Sequence, residues 1–141
     1  MMSDPNAWGR LKRAAQITCG VCVLVSCAHN APVPPEEQVR ERATRYYEAL
    51  SQGDYEAALK YVTPGYRNTA QADRYHVKYS ASPRWISTEV IKVNCGEESP
   101  PTRCVVRTSI LAELHKQFPP LSTPVDSIWL NIDGRWYRYE E

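Results

Sequence analysis

The sequence predicts an α+β domain, with helices first and an antiparallel sheet after them, and three observations predict it. Apolar residues recur at three- and four-residue steps across positions 39–62, the period of helices that bury one stripe. Three later runs, at 85–94, 105–114 and 125–132, are rich in β-branched residues and bounded by turn formers, as strands are. The two kinds of segment are segregated along the chain rather than alternating, which points to antiparallel neighbours instead of a parallel sheet with crossover helices.

The start of the chain reads as an address. Arg10, Lys12 and Arg13 precede an apolar run over 14–26. A helix needs about 20 apolar residues to cross roughly 30 Å of hydrocarbon, so this run is too short to span; it has the length of a signal-peptide core. It ends in Leu24-Val25-Ser26-Cys27, which resembles a bacterial lipobox. The expectation is that residues 1–26 are removed and that Cys27 carries diacylglycerol. Residues 27–35 then form a proline-rich tether and residues 36–141 the folded domain. The plainer alternative is an ordinary signal peptide with an incidental cysteine, or an uncleaved anchor. On the lipoprotein reading the membrane is a partner through the lipid on Cys27, and the protein sits at the cell envelope. Ala28 matches outer-membrane sorting where the cell has two membranes. Cys19 and Cys22 form a C-x-x-C, but in an apolar targeting segment without the strand and helix that redox chemistry uses.

Charge excludes one class of partner. Lys and Arg number 17 and Asp and Glu 16, and removal of 1–26 takes Arg10, Lys12, Arg13 and Asp4 with it. The remainder is near neutral with no dense basic stripe, so no nucleic acid is expected. No metal set is expected either, because His76 and His115 are isolated and no H-x-x-x-H or H-E-x-x-H occurs; no cofactor is predicted. The two cysteines left in the domain, Cys95 and Cys104, are expected to pair as a disulfide, since an exported chain meets an oxidising compartment.

The elements follow in order. Pro35, with Glu36 and Glu37 behind it, suits the positive end of a helix, and Val39, Ala43, Tyr46, Tyr47 and Leu50 form its stripe. Gly53 ends this helix and Asp54 caps the next. Tyr55, Ala58, Leu59 and Val62 form the second stripe, and Pro64-Gly65 is expected to stop it. A weaker helix is predicted over 69–79, broken by Ser82-Pro83. The first strand, 85–94, shifts its alternation at Val90-Ile91, a bulge signal. The second follows a polar loop over 96–103 and places Val106, Thr108, Ile110, Ala112 and Leu114 on one side. Phe118-Pro119-Pro120 is a break before the third strand at 125–132. Asp133-Gly134 is a tight-turn pair leading into the last strand, 135–139.

In the stretch Tyr46-Tyr47-Glu48-Ala49-Leu50-Ser51-Gln52-Gly53-Asp54-Tyr55-Glu56-Ala57-Ala58, and in the closing Trp129-Leu130-Asn131-Ile132-Asp133-Gly134-Arg135-Trp136, the chain resembles the NTF2-like (SnoaL-like, cystatin-like cone) superfamily. The resemblance covers about 36–141. It implies N-terminal helices packed on a curved antiparallel sheet, with a conical cavity open at one end. It also implies, for the enzymes of that superfamily, a cavity Asp or Tyr that moves protons.

Candidates to line such a cavity are Tyr47, Tyr75 and Tyr79, with Glu113 and Asp126 on strands whose facing a single-residue slip would reverse. The functional reading is a buried carboxylate beside a tyrosine donor; the plainer one is exposed carboxylates and packing aromatics. No nucleophile–base–orienter set or phosphate loop is present, so no catalytic residue is assigned. The expectation is a non-catalytic binding or assembly domain at the cell envelope, taking an unknown protein or small-molecule ligand. The alternative is a small-molecule isomerase or cyclase that uses a cavity carboxylate and tyrosine.

Overall fold

A computed structural model of the chain describes residues 31–141. The compact unit runs from Pro32 to Glu141. The leader and Cys27 lie outside the described residues.

Pro35 opens α1 (Pro35–Ser51), and its missing N–H costs nothing in a first turn. The helix buries Val39, Ala43, Tyr46, Tyr47, Ala49 and Leu50, the stripe its periodicity predicts. Gly53, at φ +74°, supplies the left-handed residue that ends it. The Asp54 carboxylate accepts the Ala57 N–H at 3.0 Å and so caps α2 (Tyr55–Leu59). This helix is shorter than predicted. Val62 leaves it to bridge Arg138 in parallel, Thr63 N–H donating to the Arg138 carbonyl and Arg138 N–H to that of Tyr61. Strand pairing thus replaces a further helical turn. Pro64-Gly65, expected as a stop, instead starts α3 (Pro64–Arg67), because proline's fixed φ suits a first turn. The weak helix of 69–79 is a 3-10 turn, Ala72–Arg74, running into α4 (Tyr75–Ser80).

Four strands follow: β1 (Arg84–Asn94), β2 (Arg103–Glu113), β3 (Leu121–Ile132) and β4 (Arg135–Arg138). They form one antiparallel meander in sequence order. The register shifts between Val90 and Lys92, as the broken alternation predicts, and also between Trp85 and Ser87. Ile91 and Ile86 are the extra residues, and both side chains are exposed. Bulges increase strand bend and twist, which curls this sheet into a half-barrel. Asp133 (φ 51°) and Gly134 (φ 78°) make the two-residue turn between β3 and β4. Asn94 pairs with Val105; the next cross-strand pair, Cys95 and Cys104, is joined by the disulfide expected from the sequence.

The helices sit on the concave face. Arg40 Nη1 donates to the Val90 carbonyl at 2.8 Å, and Arg42 Nε to the Trp136 carbonyl at 2.6 Å, pinning α1 to both ends of the meander. Cys104, Val106, Thr108 and Ile110 of β2, Ser127 and Trp129 of β3, and Trp136 of β4 are buried beneath it. Fully burying one large apolar side chain contributes about 1.5–3 kcal/mol, so Trp129 and Trp136 rank among the main stabilising residues.

Candidate functional site

The polar end of the cone is occupied by a cluster of six side chains. Tyr46 comes from the buried stripe of α1. Tyr75 and Tyr79 lie four residues apart on α4 and therefore share a face, with Lys78 beside them. Arg138 is the last residue of β4. Trp136 faces inward, and the two-residue period of an extended chain carries Arg138 and then Glu140 to the same side. Only 4 % of the Glu140 side chain is exposed, against 51 % of its partner Lys78.

The hydroxyls form a directed chain. Tyr79 donates to Glu140 Oε1 at 2.6 Å, and Tyr46 donates to the Tyr79 oxygen at 3.1 Å. That commits the Tyr46 proton and makes Tyr75 the donor in the 2.7 Å contact between Tyr75 and Tyr46. Such chains polarise one another inside a protein. The far oxygen of Glu140 takes Lys78 Nζ at 2.7 Å, and Arg138 forms an ion pair with the near one. A buried carboxylate is costly unless it is paired and hydrogen-bonded; this one is both. The Arg138 guanidinium also lies 5.1 Å from the centre of the Tyr46 ring, within cation–π range.

The electrostatics oppose proton transfer. Burial, with the neighbouring phenols adding to it, holds the Tyr46 hydroxyl well above its ordinary pKa, and Arg138 offsets this only in part. Burial likewise raises Tyr75, with help from Tyr79. Both are neutral donors near pH 7. Burial disfavours the Arg138 charge, yet the surrounding tyrosine oxygens more than compensate and its pKa stands above the usual value. Among the described residues, Arg138 Nε and Thr108 Oγ1 are buried polar atoms without a hydrogen-bond partner.

A cleft of about 370 Å³ opens beside the cluster, between the end of α1 and the start of β1. Leu50, Gly53, Tyr55, Tyr79 and Trp85 line it. Tyr79 belongs to both places: its ring forms cleft wall and its hydroxyl reaches Glu140.

The predicted cavity residues divide. Tyr75 and Tyr79 belong to the cluster. Tyr47 is interior but serves a second network, donating to Ser127 Oγ at 3.2 Å, where Trp129 Nε1 also donates at 3.2 Å. Glu113 and Asp126 do not face the cavity. Their strand positions alternate with the inward Ala112 and Ser127, which turns both to the outer surface. Asp126 is held there by a bidentate pair with Arg107 at 2.8 and 2.7 Å, and these hydrogen bonds keep its carboxyl below the usual range. Glu113 lies 3.8 Å from Arg84. Sequence reasoning missed Tyr46 as a polar contributor and missed Lys78, Arg138 and Glu140. The continued alternation Trp136, Arg138, Glu140 was the signal that pointed to the last two. Among the described residues no group of three or more His, Cys, Asp or Glu is placed to hold a metal ion.

No family model matches the sequence, and no curated protein matches it. Solved structures do match. A protein from Campylobacter jejuni described as an NTF2-like transpeptidase superposes with a TM-score of 0.51 at 9% identity, over 74% of this chain and 99% of that one. The fold is the NTF2-like cone. The same cone aligns with a SEC-C motif containing protein from Rhodopseudomonas palustris, with a TM-score of 0.53 at 20% identity over 76% of each chain. It also aligns with a calcium/calmodulin-dependent protein kinase type II association domain from Thiobacillus denitrificans, with a TM-score of 0.51 at 9% identity over 77% and 93%. Identities this low speak for the NTF2-like fold and leave its use in this chain open.

Proposed function

We propose that the protein is a non-catalytic binding or assembly module of the cell envelope, tethered to a membrane by lipid on Cys27. The observation that carries the non-catalytic half is the content of the cone. Glu140, the one buried carboxylate among the described residues, is neutralised by Lys78 and Arg138, and burial keeps Tyr46 and Tyr75 protonated. A general base needs a free, suitably tuned group within reach of substrate, and no member of the cluster meets that requirement. An association domain among the structural neighbours is consistent with this use of the fold. The runner-up, an isomerase- or cyclase-type enzyme, is favoured by the contact between Tyr79 and Glu140, a tyrosine and a carboxylate converging inside the cone. The two cations on that carboxylate weigh against it.

The tether rests on Leu24-Val25-Ser26-Cys27 behind a positive segment. On this reading attachment is by lipid, and two or more acyl chains anchor stably. Radiolabelled palmitate is expected to enter the wild type and not Cys27→Ala, and the variant is expected to leave the membrane fraction. Equal labelling of both would defeat the anchor.

A further inference from the structure

We infer that the cradle formed by Tyr46, Lys78, Tyr79 and Arg138 is a carboxylate-binding site filled in cis by Glu140, and that it accepts a carboxylic acid with a small aromatic or apolar body when Glu140 withdraws. This deepens the binding half of the proposed function and rests on it; the membrane tether plays no part.

Four features of the site lead there. The first is convergence. One carboxylate receives the Tyr79 hydroxyl at 2.6 Å, Lys78 Nζ at 2.7 Å and the Arg138 guanidinium, while Tyr46 donates to the Tyr79 oxygen at 3.1 Å and braces that hydroxyl. Charge-assisted donors of this kind are the strong ones, and together they define the shape and sign of a bound carboxylate.

The second is charge. Lys78 and Arg138 bring two positive charges against the single negative charge of Glu140, and the buried Tyr46 and Tyr75 keep their protons. The cradle therefore carries an excess positive charge in a partly dry site, and Arg138 Nε still lacks an acceptor. A site complete in itself would balance; this one has capacity left for an anion.

The third is the difference between the two sides. The donors stand on regular elements, α1, α4 and β4. The acceptor follows β4, where the Tyr139 N–H to the Ile128 carbonyl is the last backbone hydrogen bond among the described residues. Glu140 is held by its side chain. Rotating that side chain out leaves every donor in place, so the cradle persists without its internal ligand.

The fourth is a neighbouring cleft. Tyr79 is the cradle residue that also lines it, and Leu50, Tyr55 and Trp85 share its walls with the polar Gln52, Ser82 and Arg84. At about 370 Å³ it is at the small end of ligand sites. An acid such as benzoate is a suitable probe: its carboxylate offers the donors what Glu140 offers them, and its small flat body suits a site bordered by aromatic rings. A neutral amide of the same shape presents an NH₂ group to donors that need acceptors, and loses.

The test uses the full chain in detergent micelles with Glu140→Ala, titrated with benzoate, benzamide and chloride at matched ionic strength. The readouts are the thermal midpoint and tryptophan fluorescence. Benzoate is expected to raise the midpoint of Glu140→Ala saturably by several degrees, since a ligand of the folded state stabilises it in proportion to the logarithm of occupancy. Benzamide and chloride should not do so, and the wild type should respond far less because Glu140 competes. Adding Tyr79→Phe should weaken benzoate about tenfold, the worth of one hydrogen bond to a charged group. Should Glu140→Ala be unfolded, the same titration reads refolding: recovery of native fluorescence with benzoate alone supports the site. Equal responses to benzoate and benzamide, or an equal response in wild type and variant, overturn it. Loss of the benzoate response with native fluorescence intact removes this site alone, whereas turnover of a small-molecule substrate by the wild type would overturn the non-catalytic reading it rests on.

Discussion

Tyr46 is a residue on which packing and polarity meet. Its ring packs edge-on against Tyr47 at 4.9 Å and against Trp129 at 6.0 Å, while its hydroxyl sits mid-way along the chain from Tyr75 to Glu140. A phenol in that position keeps its proton past the pH at which a free tyrosine loses it. The sign of the linkage follows: Tyr46 and Tyr75 have folded pKa values above the unfolded value of about 10, so their contribution is fully present below pH 10. It is lost as pH rises beyond, because the unfolded chain then releases protons that the folded one retains. The protein is expected to unfold cooperatively in alkali, with part of its phenolate absorbance appearing only with the loss of structure. Smooth ionisation of all nine tyrosines before any change in circular dichroism would contradict the buried assignment. Tyr75 behaves as Tyr46 does, so Tyr46→Phe is expected to reduce the late component without removing it.

At the scale of elements, β3 raises the question of an open edge. It runs for twelve residues, while β4 pairs only with the stretch from Trp129 to Ile132. The edge over 121–127 is therefore uncovered, and open edges invite pairing with other chains. Pro124 sits in it. The Ile128 carbonyl faces the β4 side, where it accepts the Tyr139 N–H, and backbone groups of alternate residues share a side, so position 124 turns its nitrogen to the open edge. Proline there costs the β2 ladder nothing and removes a donor from the exposed row. Pro124→Val is expected to leave the fold intact and to promote self-association, read as a concentration-dependent rise in sedimentation coefficient; a variant that stays as monodisperse as the wild type would sink this role. Elements of this kind were legible to different degrees. Strong periodicity gave α1, and local chemistry gave the Asp54 cap, the Asp133-Gly134 turn and the bulge at Ile91. The facing of Asp126 was not legible, because β3 carries apolar residues on both sides: Ile128 and Leu130 outward, Val125 and Trp129 inward. Glu140 was hidden for another reason. It follows the last strand, where the alternation from Trp136 and Arg138 marks its side but not its burial, and only the three-dimensional convergence of α1, α4 and β4 gives it partners.

The unit from Pro32 to Glu141 is a helical layer laid across a bent meander, and the bend must be held at both ends. One end is held by the segment after α2, which pairs with β4 and ties the last strand back to the helices. The other end is the junction of β1 and β2. Arg40, near the start of α1, reaches the Val90 carbonyl close by, so this end also receives the start of the first helix. The loop over 96–102 is long for a hairpin, and its turn chemistry fixes register weakly. The disulfide between Cys95 and Cys104 closes it at the base, one position beyond the last ladder pair. By the chain-entropy estimate, a ring of this size withdraws roughly 2.5–3 kcal/mol of freedom from the unfolded chain. In a domain of this length such a loss lowers the midpoint by roughly 10 °C or more. The double variant Cys95→Ser/Cys104→Ser should therefore melt well below the wild type. It should also keep the cradle, because the cradle's donors are held by α1, α4 and β4, whereas the bridge joins β1 to β2. Melting and benzoate response measured on the same protein separate the two roles: a lower midpoint with an unchanged ratio of benzoate to benzamide response is the expected pair. An unchanged midpoint would mean that the ladder alone fixes the hairpin.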